Sequence, residues 1–465
     1  MSCLHWWSIS GPSLYPTMLY PHQITGVRWL VNREIGKAPY GGFLCDEMGL
    51  GKTIQLIETM RANPLERTLI LVPKSIITQW AEELERRSVP VHVYDGPKRE
   101  LVPASVVLAP YSVATDLTGS EWDRIILDEG HEIRNPKSKL FKTLCSMKAS
   151  VRWVVSGTPV FNSMKDFVTL CQFVGYSAGT VAREYELIRK EAVLRRTKDD
   201  VQVMTETPMV FSNVELEMYP EEEQLYHEAY LAGQGYIQDY GTEANSMEIL
   251  ECLLRIRQVM VWPQLYLDGM AVKHSTDPVA YPGRSRKHEY LIESIESHPD
   301  EKSLVFTQFT GETDRIQELL VERGIPVFRL DGNVDTGERV DRIAAFKRAG
   351  PNAVFIIQIR AGGVGLNLQE ASRVYITAPA WNPATELQAI GRSHRTGQTR
   401  PVTVKKLLYK DVSDELPSIE EAIVNLQMAK SRVCADVLGD RKLELQVPGV
   451  ISMKMRTIAK FFKSV

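Results

Sequence analysis

A glycine-rich turn between an apolar run and a helical stretch constrains the fold of this chain more than any other feature. Residues 42–45 are apolar and predict a strand, residues 46–53 read Asp-Glu-Met-Gly-Leu-Gly-Lys-Thr, and residues 54–60 have helical spacing. A strand that enters such a turn and a helix that leaves it are typical of proteins that bind nucleotide phosphates. The helix N-terminus brings the positive end of its dipole to the same place.

Individual residues of the turn have predicted roles. Gly49 and Gly51 allow the backbone to turn tightly and to bring its N–H groups against phosphate oxygens. Lys52 is expected to reach the β- and γ-phosphates, and the Thr53 hydroxyl is expected to hold Mg²⁺. The strict phosphate-loop pattern begins with Gly, whereas this chain has Asp46 there. A glycine-rich turn with one lysine is also compatible with an ordinary loop, so further matches must decide.

A second motif supplies two adjacent acids. Residues 125–127 are apolar and are followed by Asp128 and Glu129. This pattern predicts a buried parallel strand that delivers carboxylates to its C-terminal end. Asp128 is expected to bind Mg²⁺ and Glu129 to polarise the attacking water in phosphoryl transfer. The alternative is an ordinary solvated turn after a strand.

Length and composition limit the class of protein. At 465 residues the chain is long enough for two or three domains, and its 44% hydrophobic and 24% charged residues are typical of a soluble globular protein. No apolar run approaches membrane-spanning length, so no membrane partner is expected. The 6 cysteines include no Cys-x-x-Cys pair, which argues against structural zinc and for a reducing compartment. The net charge of −3 is no evidence for nucleic-acid binding, so any such surface must be local.

One local excess of positive charge lies between residues 360 and 410. Its basic residues are Arg360, Arg373, Arg392, Arg395, Arg400, Lys405, Lys406 and Lys410. The same stretch contains only two acids, Glu370 and Glu386. A basic run is usually a solvated face. Because this one is interleaved with glycines and with Trp381, we expect a functional surface.

The pattern of apolar runs divides the chain into two α/β halves. Strands are predicted at residues 68–72, 105–109, 124–127 and 153–155, and again at 303–306, 326–330, 353–357, 373–377 and 402–407. Between the halves, residues 215–260 are charged and helical in period, and residues 263–284 contain Pro and Gly and predict a linker. The predicted fold is therefore α/β, with two tandem doubly wound parallel-sheet lobes and a helical insertion between them.

Several further motifs follow one another along the chain. In order they are 21–23 (PHQ), 71–75 (LVPKS), 128–131 (DEGH), 156–159 (SGTP), 194–198 (LRRTK), 306–309 (FTQF), 330–332 (LDG), 361–368 (AGGVGLNL), 381–383 (WNP) and 388–398 (QAIGRSHRTGQ). With these motifs in this order, the chain resembles the Swi/Snf-type branch of the superfamily-two helicase-like ATPases, from about Leu19 to about Leu438. The resemblance implies RecA-like lobes: residues 1–205 as the ATP-binding lobe, 206–285 as helical protrusion and linker, 286–438 as the C-terminal lobe, and 439–465 as a tail.

The resemblance also implies a DNA-dependent ATPase that uses ATP and Mg²⁺. The implied catalytic residues are Lys52, Asp128, Glu129, Arg392 and Arg395, the two arginines acting as fingers. The implied nucleotide-binding residues are Gln23, Gly49, Gly51, Lys52, Thr53, Gly365 and Gln388, with Thr53 and Asp128 as the Mg²⁺ ligands. ATP is expected to draw together two lobes that each carry part of the site.

DNA contacts are implied at a further set of positions. They are Pro73, Lys74, Ser75, Thr307, Gln308, Arg360, Gly362, Gly363, Asn367 and Trp381. The neighbouring pair Gln79 and Trp80 belongs to the first of these DNA-contacting motifs. Gln358 stands where relatives usually have Ser or Thr on a DNA phosphate, which departs from the pattern.

Details of the motifs are similar to those of the fork-remodelling and transcription-release members, in a minimal two-lobe form. Residues 263–287 are too short for the zinc-binding ubiquitin-ligase module found in some of them and contain no cysteine. The absence of other modules resembles stand-alone viral members. The expected location is intracellular, in a nucleus or a viral replication compartment.

Three functions remain as alternatives. The first is an ATP-driven double-stranded DNA translocase that remodels protein–DNA complexes, such as nucleosomes or stalled polymerases, or forks, without true strand unwinding. The second is an RNA- or DNA-unwinding helicase of the same superfamily. The third is a catalytically inactive DNA-binding scaffold. The presence of Lys52, Glu129 and Arg395 disfavours the scaffold.

The C-terminal tail carries a separate signal. Ile458, Phe461 and Phe462 share one face of a helical turn, and adjacent aromatics near a chain end are expected to dock. The segment resembles the sliding-clamp-binding box of replication proteins, with Met455 in place of the usual first Gln. The alternative is that the two phenylalanines fold back onto the second lobe as ordinary packing.

Overall fold

The structure is a computed structural model, and it describes residues 19–97, 99–157, 164–201, 207–240, 245–332, 334, 336–359, 366–395, 397–439 and 461. The chain divides into two units, each described by itself below. The first unit comprises residues up to 159 together with 164–202, and the second comprises 160–163 and 203 onwards. Among the described helices, none has both the length and the apolar character needed to cross a membrane.

The first unit is built on a parallel sheet. Its described strands are β1 (Tyr40–Leu44), β2 (Thr68–Val72), β3 (His92–Val93), β4 (Val106–Pro110), β5 (Arg124–Asp128), β6 (Val151–Val155) and β7 (Val193–Leu194). They lie in the order β3-β4-β2-β5-β6-β1-β7. Because β2, β4 and β5 are buried along their whole length, they appear in the sequence as continuous apolar runs.

Helices connect these parallel strands. In the described part of the unit they are α1 (Pro21–Ile35), α2 (Lys52–Ala62), α3 (Ile77–Arg86), α4 (Lys139–Ser146), α5 (Met164–Val174) and α6 (Ala178–Ala192). Leu30 of α1, Leu56 of α2 and Trp80 of α3 are buried in one core cluster with Trp153 of β6. This cluster packs α1, α2 and α3 against the sheet.

The second unit contains another parallel sheet. Its described strands are β8 (Met209–Leu216), β9 (Lys302–Thr307), β10 (Val327–Leu330), β11 (Val354–Gln358), β12 (Ala371–Ile376) and β13 (Val402–Tyr409). They lie in the order β10-β11-β9-β12-β13-β8. β8 pairs with β13 in an unbroken register from Met209 opposite Val402 to Leu216 opposite Tyr409.

Most helices of this unit precede or cover the sheet. The described ones are α7 (Pro220–Tyr240), α8 (Ser246–Val261), α9 (Pro263–His274), α10 (Arg286–Glu296), α11 (Thr310–Glu322), α12 (Thr336–Arg348), α13 (Pro383–Ile390) and α14 (Ile419–Leu438). α7, α8, α9 and α10 contribute buried side chains to the same core cluster as strands β9, β11, β12 and β13. The helical segment is therefore packed on the second sheet.

The predicted fold class, two parallel-sheet α/β lobes with a helical insertion between them, is confirmed. Two details differ. β8 precedes the helices and forms the edge of the second sheet, so the insertion lies after the first strand of the second unit. The predicted linker at 263–284 is wrong over α9, which starts with Pro263 at the first helical position, where its missing N–H costs nothing.

Candidate active site

The turn between β1 and α2 has the backbone geometry that phosphate binding requires. Gly49 (φ 94°) and Gly51 (φ 75°) both adopt left-handed conformations. A Cβ on Gly51 would lie 2.3 Å from Nε2 of Gln23 and would displace that side chain, and the left-handed φ of Gly51 disfavours any larger residue. α2 begins at Lys52, and its unpaired N–H groups and positive dipole end therefore adjoin the turn.

The Lys52 ammonium lies over the turn itself. It donates hydrogen bonds to the backbone carbonyls of Asp46 (2.9 Å) and Glu47 (3.4 Å). Leu44 at the end of β1 pairs with Val155 of β6, and Val155 pairs with Asp128 of β5, so the turn after β1 and the acidic motif lie at the same edge of the sheet. Thr53, half-buried on the same first turn of α2, lies next to the lysine in the chain. The structure thus brings Lys52, Thr53 and Asp128 to the same end of the sheet.

Asp46, which replaces the usual first glycine, is a buried anchor. Its carboxylate accepts hydrogen bonds from Nε of Arg196 (3.0 Å), from Nη2 of the same guanidinium, and from Nε2 of Gln55 (3.0 Å). Arg196 also donates to Oγ1 of Thr25 (3.1 Å) and to the carbonyl of His22. One side chain therefore connects the start of α1, the phosphate loop and α2.

The predicted adenine-contacting residue, Gln23, lies beside the phosphate loop at the start of α1. Its Oε1 accepts from the backbone N–H of Tyr20 (3.0 Å), and its Nε2 donates to the carbonyl of Leu50 (3.4 Å). Nε2 of His22 also lies 3.1 Å from the carbonyl oxygen of Leu50. Burial lowers the pKa of His22. Gln23 is thus placed next to Gly51, although adenine contact itself remains a prediction.

Asp128 ends β5 with both carboxylate oxygens hydrogen-bonded. Oδ2 accepts from Nε1 of Trp80 (2.7 Å), and Oδ1 accepts from the backbone N–H of Glu129 (2.9 Å). Its own carbonyl accepts from the hydroxyl of Tyr111 (2.7 Å). Burial, and then the charge of Glu129, raise the pKa of Asp128 to about 6. A cation next to Asp128 would favour its ionised form.

Glu129 occupies a backbone conformation that non-glycine residues rarely adopt. Its φ of 50° and ψ of 47° lie in the left-handed region. Such conformations cost about 1–3 kcal/mol and are typical of functional sites. Oε2 of Glu129 lies 3.4 Å from Nδ1 of His131. The turn therefore holds the two successive carboxylates in different surroundings, Asp128 buried and Glu129 more exposed.

The residues present fit the predicted Mg²⁺. The predicted ligands, the Thr53 hydroxyl and the Asp128 carboxylate, supply oxygen donors, which Mg²⁺ prefers. In the described part of the chain, no group of three or more His, Cys, Asp or Glu side chains forms a metal cluster. At Mg²⁺ sites of phosphoryl-transfer enzymes, substrate phosphates complete the shell and the protein supplies one or two carboxylates.

The second unit carries the predicted arginine fingers and Gln388. Gln388 lies half-buried on α13, which is capped by Asn382. Arg392 is 8% exposed, and its carbonyl accepts a hydrogen bond from the N–H of Leu368 (3.0 Å). Burial lowers the pKa of Arg395. Arg392 is thus buried and Arg395 half-buried within their own unit, and their finger role stays a prediction.

Some of the predicted DNA contacts are accessible. Lys74 and Ser75 are exposed, Pro73 is half-buried, and Lys74 forms only a 3.7 Å ion pair with Asp95. These residues immediately follow β2, at its C-terminal end. Asn367 of the second unit is also exposed. The geometry allows all of these positions to contact a ligand.

Other predicted DNA contacts are placed differently. Thr307 is fully buried, with its hydroxyl 2.7 Å from that of Thr313, so DNA cannot reach it in this structure. Gln308 donates to the carbonyl of Ala378 (3.1 Å). Trp381 is half-buried, and the guanidinium of Arg257 lies 5.1 Å from the centre of its ring. Trp80, part of a predicted DNA motif, is 1% exposed and contacts Asp128 instead.

The predicted basic surface between residues 360 and 410 is not continuous. Arg373 pairs with Glu301 (3.1 Å), and the almost fully buried Lys406 pairs with Glu386 (2.7 Å). Among the described members of the run, exposed side chains are found at Arg400 and Lys410. The described part of the run is therefore not one exposed basic face, because Arg373 on β12 and Lys406 on β13 are buried and each is paired with an acid; a functional role for the run stays a prediction.

The last predictions concern the glycine-rich motif and the tail. Arg360, Gly362, Gly363 and Gly365, and likewise Ile458 and Phe462, lie outside the described residues. Phe461 is 4% exposed in the core of the second unit, and its ring lies edge-on to that of Tyr230, with centroids 5.4 Å apart. The hydroxyl of Tyr230 donates to the carbonyl of Phe461 (3.2 Å). This placement agrees with the packing alternative.

Two site residues were missed from the sequence. Arg196 was assigned to a motif at the end of the first lobe, and Trp80 to a DNA contact. Their partners Asp46 and Asp128 are 150 and 48 residues away in the chain. The available signal was the Asp at the strict glycine position of the turn, because a buried carboxylate requires a cationic partner.

Two family models match this chain. A family model described as SNF2-related domain matches residues 22–189, and one described as helicase conserved C-terminal domain matches residues 286–397. A protein named probable global transactivator, from Orgyia pseudotsugata multicapsid polyhedrosis virus, is 28% identical over an alignment of 449 positions that covers 88% of this chain and 89% of that protein.

A longer relative and a solved structure are also similar. The human SWI/SNF-related matrix-associated actin-dependent regulator of chromatin subfamily A member 1 is 27% identical over 91% of this chain, which spans only 44% of that protein. A structure titled Sulfolobus solfataricus SWI2/SNF2 ATPase core in complex with dsDNA is 27% identical, with a TM-score of 0.41, over 94% of this chain and 97% of that one. The two family models and the ordered motifs show that the chain belongs to the SNF2-related, helicase-like proteins, with an SNF2-related domain followed by a helicase C-terminal domain.

Proposed function

We propose that this protein is an ATP-dependent translocase on double-stranded DNA that remodels protein–DNA complexes, or replication and transcription structures, without separating the strands. The observation that carries the proposal is the site of the first unit. There Lys52 begins α2 behind a glycine turn, and the register of the sheet places this turn at the same edge as the buried Asp128 beside Glu129. Membership in the SNF2-related proteins supports the same chemistry.

The residues of the first unit divide the work of ATP hydrolysis. The backbone N–H groups of the glycine turn and the Lys52 ammonium bind the phosphates. Glu129 orients the attacking water and accepts its proton as the bond between the γ-phosphorus and the bridging oxygen breaks, which yields ADP and inorganic phosphate. Thr53 and Asp128 would hold Mg²⁺, which when bound would neutralise charge on the phosphates. Gln23 is the proposed adenine contact.

The second unit is proposed to complete the reaction. Arg392 and Arg395 are proposed to stabilise the charge that develops on the transferred phosphoryl group, an effect of about 10³–10⁵ in rate in other phosphoryl-transfer enzymes. If both units hold one DNA strand through its phosphates, a cycle of ATP binding and hydrolysis moves one grip relative to the other. Contacts to phosphates are independent of sequence and weaken with salt.

Double-stranded DNA as the substrate is supported by two observations. Lys74 and Ser75 are exposed at the end of β2, where side chain and backbone donors can contact phosphates. The name of the human relative refers to the regulation of chromatin, and that of the viral relative to transactivation. These names also support a nuclear or viral location and a protein–DNA complex, such as a nucleosome or stalled polymerase, as the target.

The chemistry is tested by two variants. Lys52→Ala and Glu129→Gln should both reduce DNA-stimulated ATPase activity by at least about 100-fold. Glu129→Gln should still bind ATP, because it leaves the phosphate loop intact, whereas Lys52→Ala should bind weakly. Steady-state ATPase assays and titration with a fluorescent ATP analogue measure these effects. Substantial turnover in either variant would contradict the site assignment.

The substrate is tested by assaying ATPase on naked duplex DNA, single-stranded DNA, a fork, double-stranded RNA and nucleosomes side by side. The proposal predicts stimulation by duplex DNA, displacement of a triplex-forming strand, and no separation of the duplex. Stimulation by RNA or strand separation would favour the unwinding helicase instead. ATP binding and DNA binding without hydrolysis would favour the inactive scaffold.

A further inference from the structure

Trp80 makes a contact that its predicted place in a DNA-binding motif does not explain. The side chain lies on α3, is 1% exposed, and packs in the core of the first unit. Its polar atom, Nε1, donates a 2.7 Å hydrogen bond to Oδ2 of Asp128, 48 residues away. A core tryptophan thus directs its N–H to the carboxylate that is proposed to hold Mg²⁺.

Asp128 depends on this bond for its orientation. Oδ1 is held by the backbone N–H of Glu129 (2.9 Å), a contact within the same turn, and the hydroxyl of Tyr111 holds only the backbone carbonyl of Asp128. Trp80 therefore supplies the hydrogen bond that another element gives to the carboxylate itself. Hydrogen bonds to charged groups are strong and directional, so this one fixes the rotation of the carboxylate.

The position of Trp80 in α3 links Asp128 to an exposed segment. A short 3₁₀ turn over Lys74–Ile76 runs directly into α3, and the N–H of Ile76 donates to the carbonyl of Pro73 (3.0 Å). Trp80 lies four residues after Ile76, about one helical turn further on. Lys74 and Ser75 are exposed. A ligand that contacts them therefore acts on the 3₁₀ turn that leads directly into the first turn of α3, from which the indole extends.

We infer that Trp80 is a positioning residue that holds Asp128 for Mg²⁺ and transmits contact at residues 73–76 to that carboxylate. The inference rests on the proposed DNA-stimulated ATPase. Ligand contact at residues 73–76 fixes the position of the first turn of α3 and of the indole that extends from it. The Trp80–Asp128 hydrogen bond then holds the carboxylate in its Mg²⁺-binding orientation. The indole itself touches neither substrate nor metal in this scheme.

The alternative is that Trp80 only fills the core, and three variants separate the two roles. Trp80→Phe keeps an aromatic ring and removes the donor. Trp80→His keeps an N–H in the position of the indole nitrogen and removes the larger ring. The matched control is Trp153→Phe: Trp153 is also fully buried in the same core and donates from Nε1 to Oε1 of Glu34 (2.9 Å), a carboxylate outside the predicted site.

Binding, activity and stability are measured on each full-length variant. The first is the affinity for a fluorescent ATP analogue with Mg²⁺ and with EDTA, which needs no turnover. The second is the Mg²⁺ concentration for half-maximal ATPase and the ratio of kcat with and without saturating duplex DNA. Thermal unfolding reports the loss of packing in each variant.

For Trp80→Phe, we expect unchanged affinity in EDTA, a roughly 10-fold weaker gain in affinity from Mg²⁺, and a similar rise in the half-saturating Mg²⁺ concentration, as expected for one lost charge-assisted hydrogen bond. Stimulation by DNA should fall several-fold. Trp80→His should be the less stable protein and yet recover most of the Mg²⁺ response. Trp153→Phe should lose stability and keep both responses.

Equal Mg²⁺ responses in Trp80→Phe and Trp153→Phe would show that Trp80 is a packing residue and would overturn the inference. A changed Mg²⁺ response with unchanged DNA stimulation would overturn the link to residues 73–76. If the unmodified protein shows no DNA-stimulated ATPase, the proposed function fails, while the Mg²⁺-dependent binding of the nucleotide analogue still decides whether Trp80 positions Asp128. If Trp80→Phe does not fold, Trp80→His is compared with the unmodified protein in the same binding assay. Because Trp80→His retains the N–H donor, a clear change in how much Mg²⁺ increases its affinity for the ATP analogue would contradict the inference.

Discussion

At the scale of single residues, the departure of the phosphate loop from the strict pattern has a structural cause. Asp46 stands at the usual glycine position with a fully buried side chain, and Arg196 neutralises it. The same guanidinium contacts Thr25 and Gln55, on the helices before and after the loop. A planar group with five donors suits such a junction, because it can bond to several acceptors in fixed directions.

Arg196→Lys should therefore fail to replace the arginine. A single ammonium cannot serve Asp46, Gln55 and Thr25 together, so the free energy of unfolding of the first unit should fall by about 1–3 kcal/mol, and ATP affinity should fall with it. Urea denaturation and nucleotide titration check this. Arg189→Lys is the control, because Arg189 pairs only with the exposed Glu186 on α6, and a loss no larger than that of the control would contradict the role given to Arg196.

At the scale of elements, α10 carries a histidine, His288, whose imidazole ring is buried in the second unit. Both ring nitrogens of His288 are buried and unbonded among the described residues. The ring lies 5.2 Å from that of Trp262. Burial, with the charges of Arg315 and Lys287, lowers the pKa of His288 to about 3. The histidine is therefore neutral in the folded protein at pH values where the unfolded chain protonates it.

This sets the direction of a pH effect on stability. Because the folded pKa lies below the unfolded value of about 6.5, the unfolded state gains protons first as the pH falls, and stability is lost from about pH 6.5 toward pH 3. His288 alone should remove about 2 kcal/mol between pH 7 and pH 5. In His288→Phe this part of the pH dependence should disappear, as measured by urea unfolding at both pH values. His227→Phe, at an exposed position of α7, is the control, and an unchanged difference between the two pH values in His288→Phe would refute the assignment.

The elements also show what the sequence could and could not predict. Strands such as β2 and β5 were predictable because parallel strands buried on both faces are continuous apolar runs. β8 was missed because all but one of its residues are half-buried or exposed at a sheet edge, and α9 because Pro and Gly residues resembled a linker. The roles of Trp80 and Arg196 were out of reach, since contacts between residues 48 and 150 positions apart leave no local pattern.

At the scale of the whole molecule, Phe461 connects the far end of the chain to the second unit. It joins a core cluster that includes Tyr226 and Tyr230 of α7 and Ile419 of α14. A phenylalanine with this burial is a structural anchor, because removing it leaves a cavity.

Phe461→Ala should lower the free energy of unfolding of the second unit by about 3 kcal/mol, the usual cost of removing a buried phenylalanine. Chemical denaturation of the full-length protein measures this, with Met247→Ala, at a position 72% exposed, as the control. Unchanged stability in Phe461→Ala, together with binding of a peptide of residues 448–465 to a sliding clamp, would instead support the partner-binding alternative.

The position of β8 decides where the two units can be separated for expression. A C-terminal fragment that begins at α7 lacks β8, so the edge of β13 that pairs with β8 from Val402 to Tyr409 is left open, while its other edge still pairs with β12. An open strand edge of that length is a template for association with other chains. A soluble, separately expressed second unit must therefore begin before Met209, even though the helical segment looks like the natural boundary.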